Sequence, residues 1–530
     1  MHSCLLIHEI LQDIFGYFNE YRDLHSLSLV CRAFLAPAND ELWADLPGLS
    51  PLIKCLPDHL LGDSEIDEGI LTIVQPPRTE DWHRVQLHAF RVKSLRVELD
   101  DGDHKEYTIN QAALEIFVAG LPSNAPLLPR LESLAWHNWS LAKFAPLFIN
   151  PSLTFLEYYP SSETPEVLAR VAEAAPRLRI LRLFDTQYSL PEPVDAVFND
   201  TLLCLNHLTQ LNFDHVPLRA DTLVHLSRLP SLLYLSVFLL KHDVTSWTSP
   251  SWGGFPRLER LSLIPDRERG RTIPSAPFLR ALSGASLTSL DITMPPAIGE
   301  SELEQLMSAI GHLHRLLFLS INFNDWHVEG WGSLVFDATV LSPLYAIGGM
   351  TSLTVINAPI TLQPQSVHEL AHAWQDIRGF SLHSSDHCHL RLEDLAVFSQ
   401  HWHKLDTLKV QLYPVESGWE HDDKAGRSAS SLSYLHLCTS RIARPATAQV
   451  AQYLAEIFPY ATIEHGFHRQ SWELQRMTAE EIEAGAVLDN VKALKKELRR
   501  QLRRRASGRG AQRPTAETSS SARTANAHAT

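Results

Sequence analysis

The string with the most chemical potential in this sequence is His368-Glu369-Leu370-Ala371-His372. On a helix, histidines at i and i+4 share a face and can hold Zn²⁺, with the intervening glutamate as general base of a hydrolase. The third ligand is the difficulty. No glycine and histidine follow at the steps that extended zinc-protease motifs use, and the surroundings of Glu393 match no such class. Histidine is abundant, at 27 residues, so chance readily supplies the string. A second cluster, His383, Asp386, His387, Cys388 and His389, is dense but contiguous. Metal ligands must converge to about 2 Å. Neighbours in one loop seldom do, so a polar loop after a strand is expected. No GxxxxGK[ST], no GxGxxG after a strand and no GxSxG occurs. No catalytic residue, metal or cofactor is expected.

The elements that carry these strings repeat. The pattern LxxLxL, or an apolar equivalent, begins near Val92 and recurs at Leu131, Leu153, Leu178, Leu208, Leu232, Leu258, Leu287, Leu316, Leu353, Ile377, Leu405 and Leu432. From Leu131 onward the spacing is 22–37 residues. The last two apolar positions alternate and so face inward from a short strand. Each buries roughly 1.5–3 kcal/mol of side chain, and only a stack of copies covers the core. Between copies, Leu223, Leu226 and Leu229, or Val367, Leu370, Ala371 and Trp374, recur at helical spacing. The zinc-like string therefore sits on the outer helix of a repeat. The expected fold is α/β, an irregular leucine-rich-repeat solenoid over 79–468 with parallel inner strands and outer helices. A doubly wound α/β sheet is the competing reading.

Composition narrows the function. The 530 residues are 45% apolar and 20% charged, values of a globular protein. No apolar run approaches the roughly 18 residues of a membrane span. Met1 is followed by no basic region or cleavage site, so secretion is not expected. Six scattered cysteines fit buried thiols in a reducing compartment, cytoplasmic or nuclear. Net charge is −15, yet residues 477–530 carry 11 basic against 6 acidic residues, leaving −20 on the remainder. An acidic body disfavours nucleic acid as a partner.

At the N-terminus two apolar stripes follow one another. Leu6, Ile10, Ile14 and Phe18 lie four residues apart. Leu24, Leu27, Val30 and Phe34 follow at steps of three and four. Some 45 residues bury two such stripes only with help. The order of residues resembles an F-box. Leu6, Glu9, Ile10, Leu11, Ile14 and Phe15 match its first helix, and Asp23 and Leu24 its second. Leu27-Ser28-Leu29-Val30-Cys31-Arg32 match its central block, and Leu42-Trp43 its close. Ile7 departs from the usual proline. The resemblance implies a three-helix module over 1–46 that binds a Skp-type adaptor of a cullin ubiquitin ligase. Its implied contacts are Leu6, Ile10, Leu11, Ile14, Leu24, Leu27, Val30 and Trp43.

Residues 47–78 read as a connector with little regular structure. A lead-in helix from Thr79 then caps the solenoid and hides its first strand edge. This combination, with its Asp81-Trp82 pair, is similar to a group of fungal F-box proteins. Thr478–Glu481 form a capping box and start a basic amphipathic helix over 469–505, with a disordered tail at 506–530. That helix could lie on the acidic body, direct nuclear import, contact RNA or membrane, or pair as a coiled coil.

The residues between the buried strand positions would face a substrate. They form a row of Arg182, Asn212, Ser236, Ser262, Asp291, Ser320, Asn357, Ser381, Lys409 and His436, flanked by Tyr234, Phe318, Tyr434, Arg260 and His383. This mixture suits a protein partner. The expected function is substrate recognition in an SCF-type cullin ligase, with transfer chemistry elsewhere. The alternative is a leucine-rich-repeat scaffold with no ligase role, whose N-terminal helices only cap it. That alternative requires Ile14 and Val30 to be buried.

Overall fold

In the computed structural model every LxxLxL copy carries one short strand. The structure describes residues 7–18, 20–63, 71–98, 109–122, 126–184, 193–213, 216–238, 252–264, 275–282, 284–294, 298–323, 336–358, 360–384, 389–416, 419, 431–438, 440, 442–464, 496–497 and 500. The chain forms two compact units, Met1–Trp331 and Gly332–Thr530.

The first unit carries the strands Asp45–Leu46, Ser94–Val97, Ser133–Trp136, Phe155–Tyr158, Ile180–Leu183, Gln210–Phe213, Tyr234–Phe238, Arg260–Ile264, Ser289–Met294 and Phe318–Phe323. They pair in chain order and in parallel. A doubly wound sheet reverses its order at a switch point, and these strands do not. The architecture is therefore α/β and leucine-rich-repeat-like. Helices such as Thr164–Ala174, Ala220–Ser227 and Glu300–Gly311 return the chain between strands. They bury Val167, Leu168 and Val171, then Leu223 and Leu226, then Leu303 and Leu306.

The second unit repeats the plan with Ser352–Ile356, Gly379–His383, Thr407–Val410, Tyr434–His436 and Thr462–Glu464, again parallel and in chain order. One repeat here starts three residues before Leu353. Met350, Leu353 and Val355 fill its three apolar positions, all buried. A methionine can take a leucine's place in a core, which hides the copy from a count of leucines. The central residue of this strand is Thr354, paired with Ser381. Asn357 does not belong to the row. It lies beyond the strand at φ 56°, a left-handed conformation that asparagine adopts more readily than most residues. Its N–H donates to the His383 carbonyl at 2.7 Å.

The N-terminal module consists of α1 (His8–Phe15), α2 (Tyr21–Ser28) and α3 (Arg32–Leu42). Leu11, Phe15, Leu24 and Ala38 form its core, with Leu27, Phe34 and Leu42 against them. Phe15 and Phe34 meet edge to face at 5.2 Å.

Residues 47–78 hold more structure than their composition suggests. Ser50–Ile53 is helical, and Leu61–Asp63 pairs antiparallel with Leu71–Ile73. Leu49, Leu52, Ile53, Leu56, Leu60 and Ile73 are buried. Apolar residues scattered among prolines and glycines carry no period, so the sequence does not reveal this burial.

The edge of Ser94–Val97 is covered by Asp45–Leu46, through the pairs Asp45↔Ser94 and Leu46↔Leu95. The expected cap, Thr79–Trp82 continued by His83–Ala89, buries Trp82, Val85 and Ala89 instead. Trp82 lies 4.8 Å from Phe117 of the helix Gln111–Ala119. The expected basic helix at 469–505 and tail at 506–530 lie outside the described residues, apart from 496–497 and 500.

Candidate interaction surfaces

The two stripes of the N-terminal module divide between two tasks. Leu11 and Leu24, expected as adaptor contacts, are buried in the module's own core, so they hold its shape. Leu27 packs against that core and Ile10 is half-buried. Ile14 is 39% exposed, Val30 60% and Leu29 72%. Ile7 and Leu35 are exposed as well. Leu6 lies outside the described residues.

Trp43 serves an internal joint rather than the open face. Its ring is stacked on His88 of the lead-in helix, with centroids 3.9 Å apart. Asp40 of α3 accepts from Arg91 Nε at 2.7 Å and from Gln12 Nε2 at 3.2 Å. The Tyr21 hydroxyl donates to the Asp45 carbonyl. Stacking, an ion pair and strand pairing thus fasten the module to the first repeat.

This joint is expected to weaken in acid. Burial, then the charges of Arg91 and Arg84, lower the pKa of His88 to about 4. An unfolded histidine titrates near 6.5 and takes its proton first, so the neutral ring's contribution is intact above that pH. It is lost as pH falls from about 6.5 toward 4. For a half-exposed ring the contribution is on the order of 1 kcal/mol. Thermal melts at pH 7 and pH 5 should show a larger loss for the parent protein than for His88→Phe, which keeps the stack but cannot titrate. Equal losses would exclude this role for His88.

Strand register sets the inner row. Arg182 pairs with Asn212, Asp291 with Ser320, and Lys409 with Ser381 and His436. Tyr234 stands opposite Arg260 in the flanking row, where Phe318 is 51% exposed. The Tyr434 hydroxyl donates to Glu464 at 2.8 Å, and burial followed by that carboxylate pushes its pKa up to about 12. Desolvation likewise raises the Asp291 carboxyl, against a hydrogen bond from Ser320.

The row also extends further back than Arg182, through Glu157, Ala135 and Arg96. His137 stands beside it, each ring nitrogen 2.7 Å from a carboxylate oxygen, of Glu98 and of Glu157. Glu157 also accepts from Arg182 at 3.3 Å, and Tyr159 stacks on His137 at 4.6 Å. The same central position of each repeat would have pointed to Glu157 and Arg96.

The helix Pro364–Ala373 buries Val367, Leu370 and Ala371 and leaves His368 and His372 exposed on the outside. His372 and His401 rings lie 4.3 Å apart. Burial, then His372, His368 and His403, lowers the His401 pKa. Among the described residues, no group of three or more His, Cys, Asp or Glu side chains is placed to hold a metal ion. His389 is fully buried, its Nδ1 2.6 Å from the Ile360 carbonyl oxygen. Asp386, His387 and Cys388 lie outside the described residues. No helix among the described residues is long and apolar enough to cross a membrane.

Residues 8–46 match the F-box-like family. No curated protein matches the chain. Among solved structures, the leucine-rich repeat-containing protein LegL7 from Legionella pneumophila is 15% identical, with 57% of this chain and 86% of that chain covered and a TM-score of 0.29. The family match at 8–46 and the chain's own strand order together show an F-box-like domain at the N-terminus, followed by a leucine-rich-repeat-like solenoid.

Proposed function

We propose that this protein is the substrate-recognition subunit of an SCF-type cullin ubiquitin ligase. The F-box-like module holds a Skp-type adaptor, and the solenoid binds a protein substrate through its polar inner row. Ubiquitin transfer takes place on other subunits, and the chain itself supplies no catalytic residue. The carrying observation is the open apolar face of Ile14, Leu29 and Val30 on a module whose core is already complete without them. Apolar side chains left in water around a finished core are what a helical partner covers.

A scaffold with self-capping helices would bury Ile14 and Val30 within the chain, so their exposure weighs against it. A cullin ligase acts in the cytoplasm or nucleus, and that is where the reading places the protein. Co-purification of the full chain with a recombinant Skp-type adaptor tests it. Failure to form a complex at micromolar concentrations of both would overturn the ligase role.

A further inference from the structure

On the second unit, the turns that follow three successive strands enclose a cleft of about 560 Å³. That is the size range of pockets for small ligands, or for a few residues of peptide. Tyr413 and Trp419 are half-buried in its wall, and Glu393 and Glu416 are exposed at it. Trp419 is held in place: its Nε1 donates to Glu393, and its ring meets Tyr453 edge to face at 5.4 Å.

The charge of the cleft is net acidic. Arg391 is the one cation among its described lining residues. It sits beside Asp394, a buried carboxylate that accepts from the Arg391 backbone N–H at 2.7 Å. Among the described lining residues Arg391 stands against two carboxylates, Glu393 and Glu416, which leaves one negative charge in surplus. The same field acts on the Tyr453 phenol, raised first by burial and then by Glu393 and Asp394.

We propose that this cleft receives an arginine or lysine side chain of a protein partner, between the Tyr413 and Trp419 rings and the carboxylates of Glu393 and Glu416. Aromatic faces attract a cation within about 6 Å, and a carboxylate completes its hydrogen bonds. An acidic segment would meet two carboxylates and is disfavoured. The inference deepens the receptor reading by naming a chemical class for the substrate, and it rests on that reading for the partner being a substrate.

The test uses the full chain and three probes: N-acetyl-arginine amide, N-acetyl-leucine amide and N-acetyl-glutamate amide, followed by saturation-transfer NMR. The arginine probe should bind in the millimolar range and the other two should not. Glu416→Gln should weaken it about fivefold, as should raising salt from about 50 to 500 mM. Trp419→Ala should weaken it by at least about as much. Glu416 is exposed, so its substitution should leave the melting curve unchanged and decides the matter even if Trp419→Ala perturbs folding. Equal signals from the three probes, no arginine binding, or binding unaffected by Glu416→Gln would each overturn the site. Adaptor capture by the same samples is read separately. Its loss would reject the ligase reading and leave the arginine result standing.

Discussion

Replacing Ile14 and Val30 together with glutamate should abolish capture of a Skp-type adaptor by the full chain, a loss of at least about 100-fold in affinity. Both side chains are open, at 39% and 60% exposure, so the substitutions remove nothing from the module's core. A glutamate pressed into an apolar interface must be desolvated without a partner, which costs several kcal/mol. Leu11→Ala is the contrasting variant. Leu11 sits among Phe15, Leu24 and Ala38, and truncating a buried leucine costs about 2–5 kcal/mol. It should therefore reduce capture by loosening the module, with a visible loss of helix signal. The exposed-face pair should reduce capture with an unchanged melting curve. Capture that survives Ile14→Glu with Val30→Glu would mean that the open face is not the adaptor site.

The same contrast marks how far the sequence could be read. Periodicity identified both stripes of the module, and the F-box resemblance then set Leu11 and Leu24 beside Ile14 and Val30 as adaptor contacts. A helical period shows which residues share a face. It does not show which apolar residues the module uses for its own core. The solenoid was legible because thirteen similar strands each repeat one burial pattern. The strand register was legible wherever leucines mark it, although Ser236, Ser381 and His436 of the expected row are buried. It failed at Met350, where the leading leucine is replaced, and Asn357 was placed on the row three residues from the true centre, Thr354. The joint of Trp43 with His88 and the acidic cleft on the second unit were not legible. Each is assembled from segments distant in the chain, and neither leaves a local pattern.

The largest effect on stability should come from Trp402 of the second unit. Its side chain is fully buried, and its ring lies parallel to that of Phe398 at 4.3 Å, with Phe380 at 5.1 Å. Its Nε1 reaches back one repeat and donates to the Ala371 carbonyl at 3.1 Å. Trp374 does the same to Leu344 at 3.3 Å. Each indole thus spans the interface between consecutive repeats, where a solenoid gains its stability. Trp402→Ala leaves a large cavity and a buried carbonyl short of its donor. The expected loss is about 3–5 kcal/mol for the side chain, with about 1–3 kcal/mol more for the unsatisfied oxygen if no water enters. Trp402→Phe keeps most of the ring contact and should lose only the hydrogen bond and part of the volume, on the order of 1–3 kcal/mol. Urea denaturation, with hydrogen exchange read at the strands Gly379–His383 and Thr407–Val410, separates the two variants. If alanine and phenylalanine destabilise equally, the stack contributes little beyond the hydrogen bond. If neither shifts the urea midpoint, the interface between these repeats does not limit the stability of the unit.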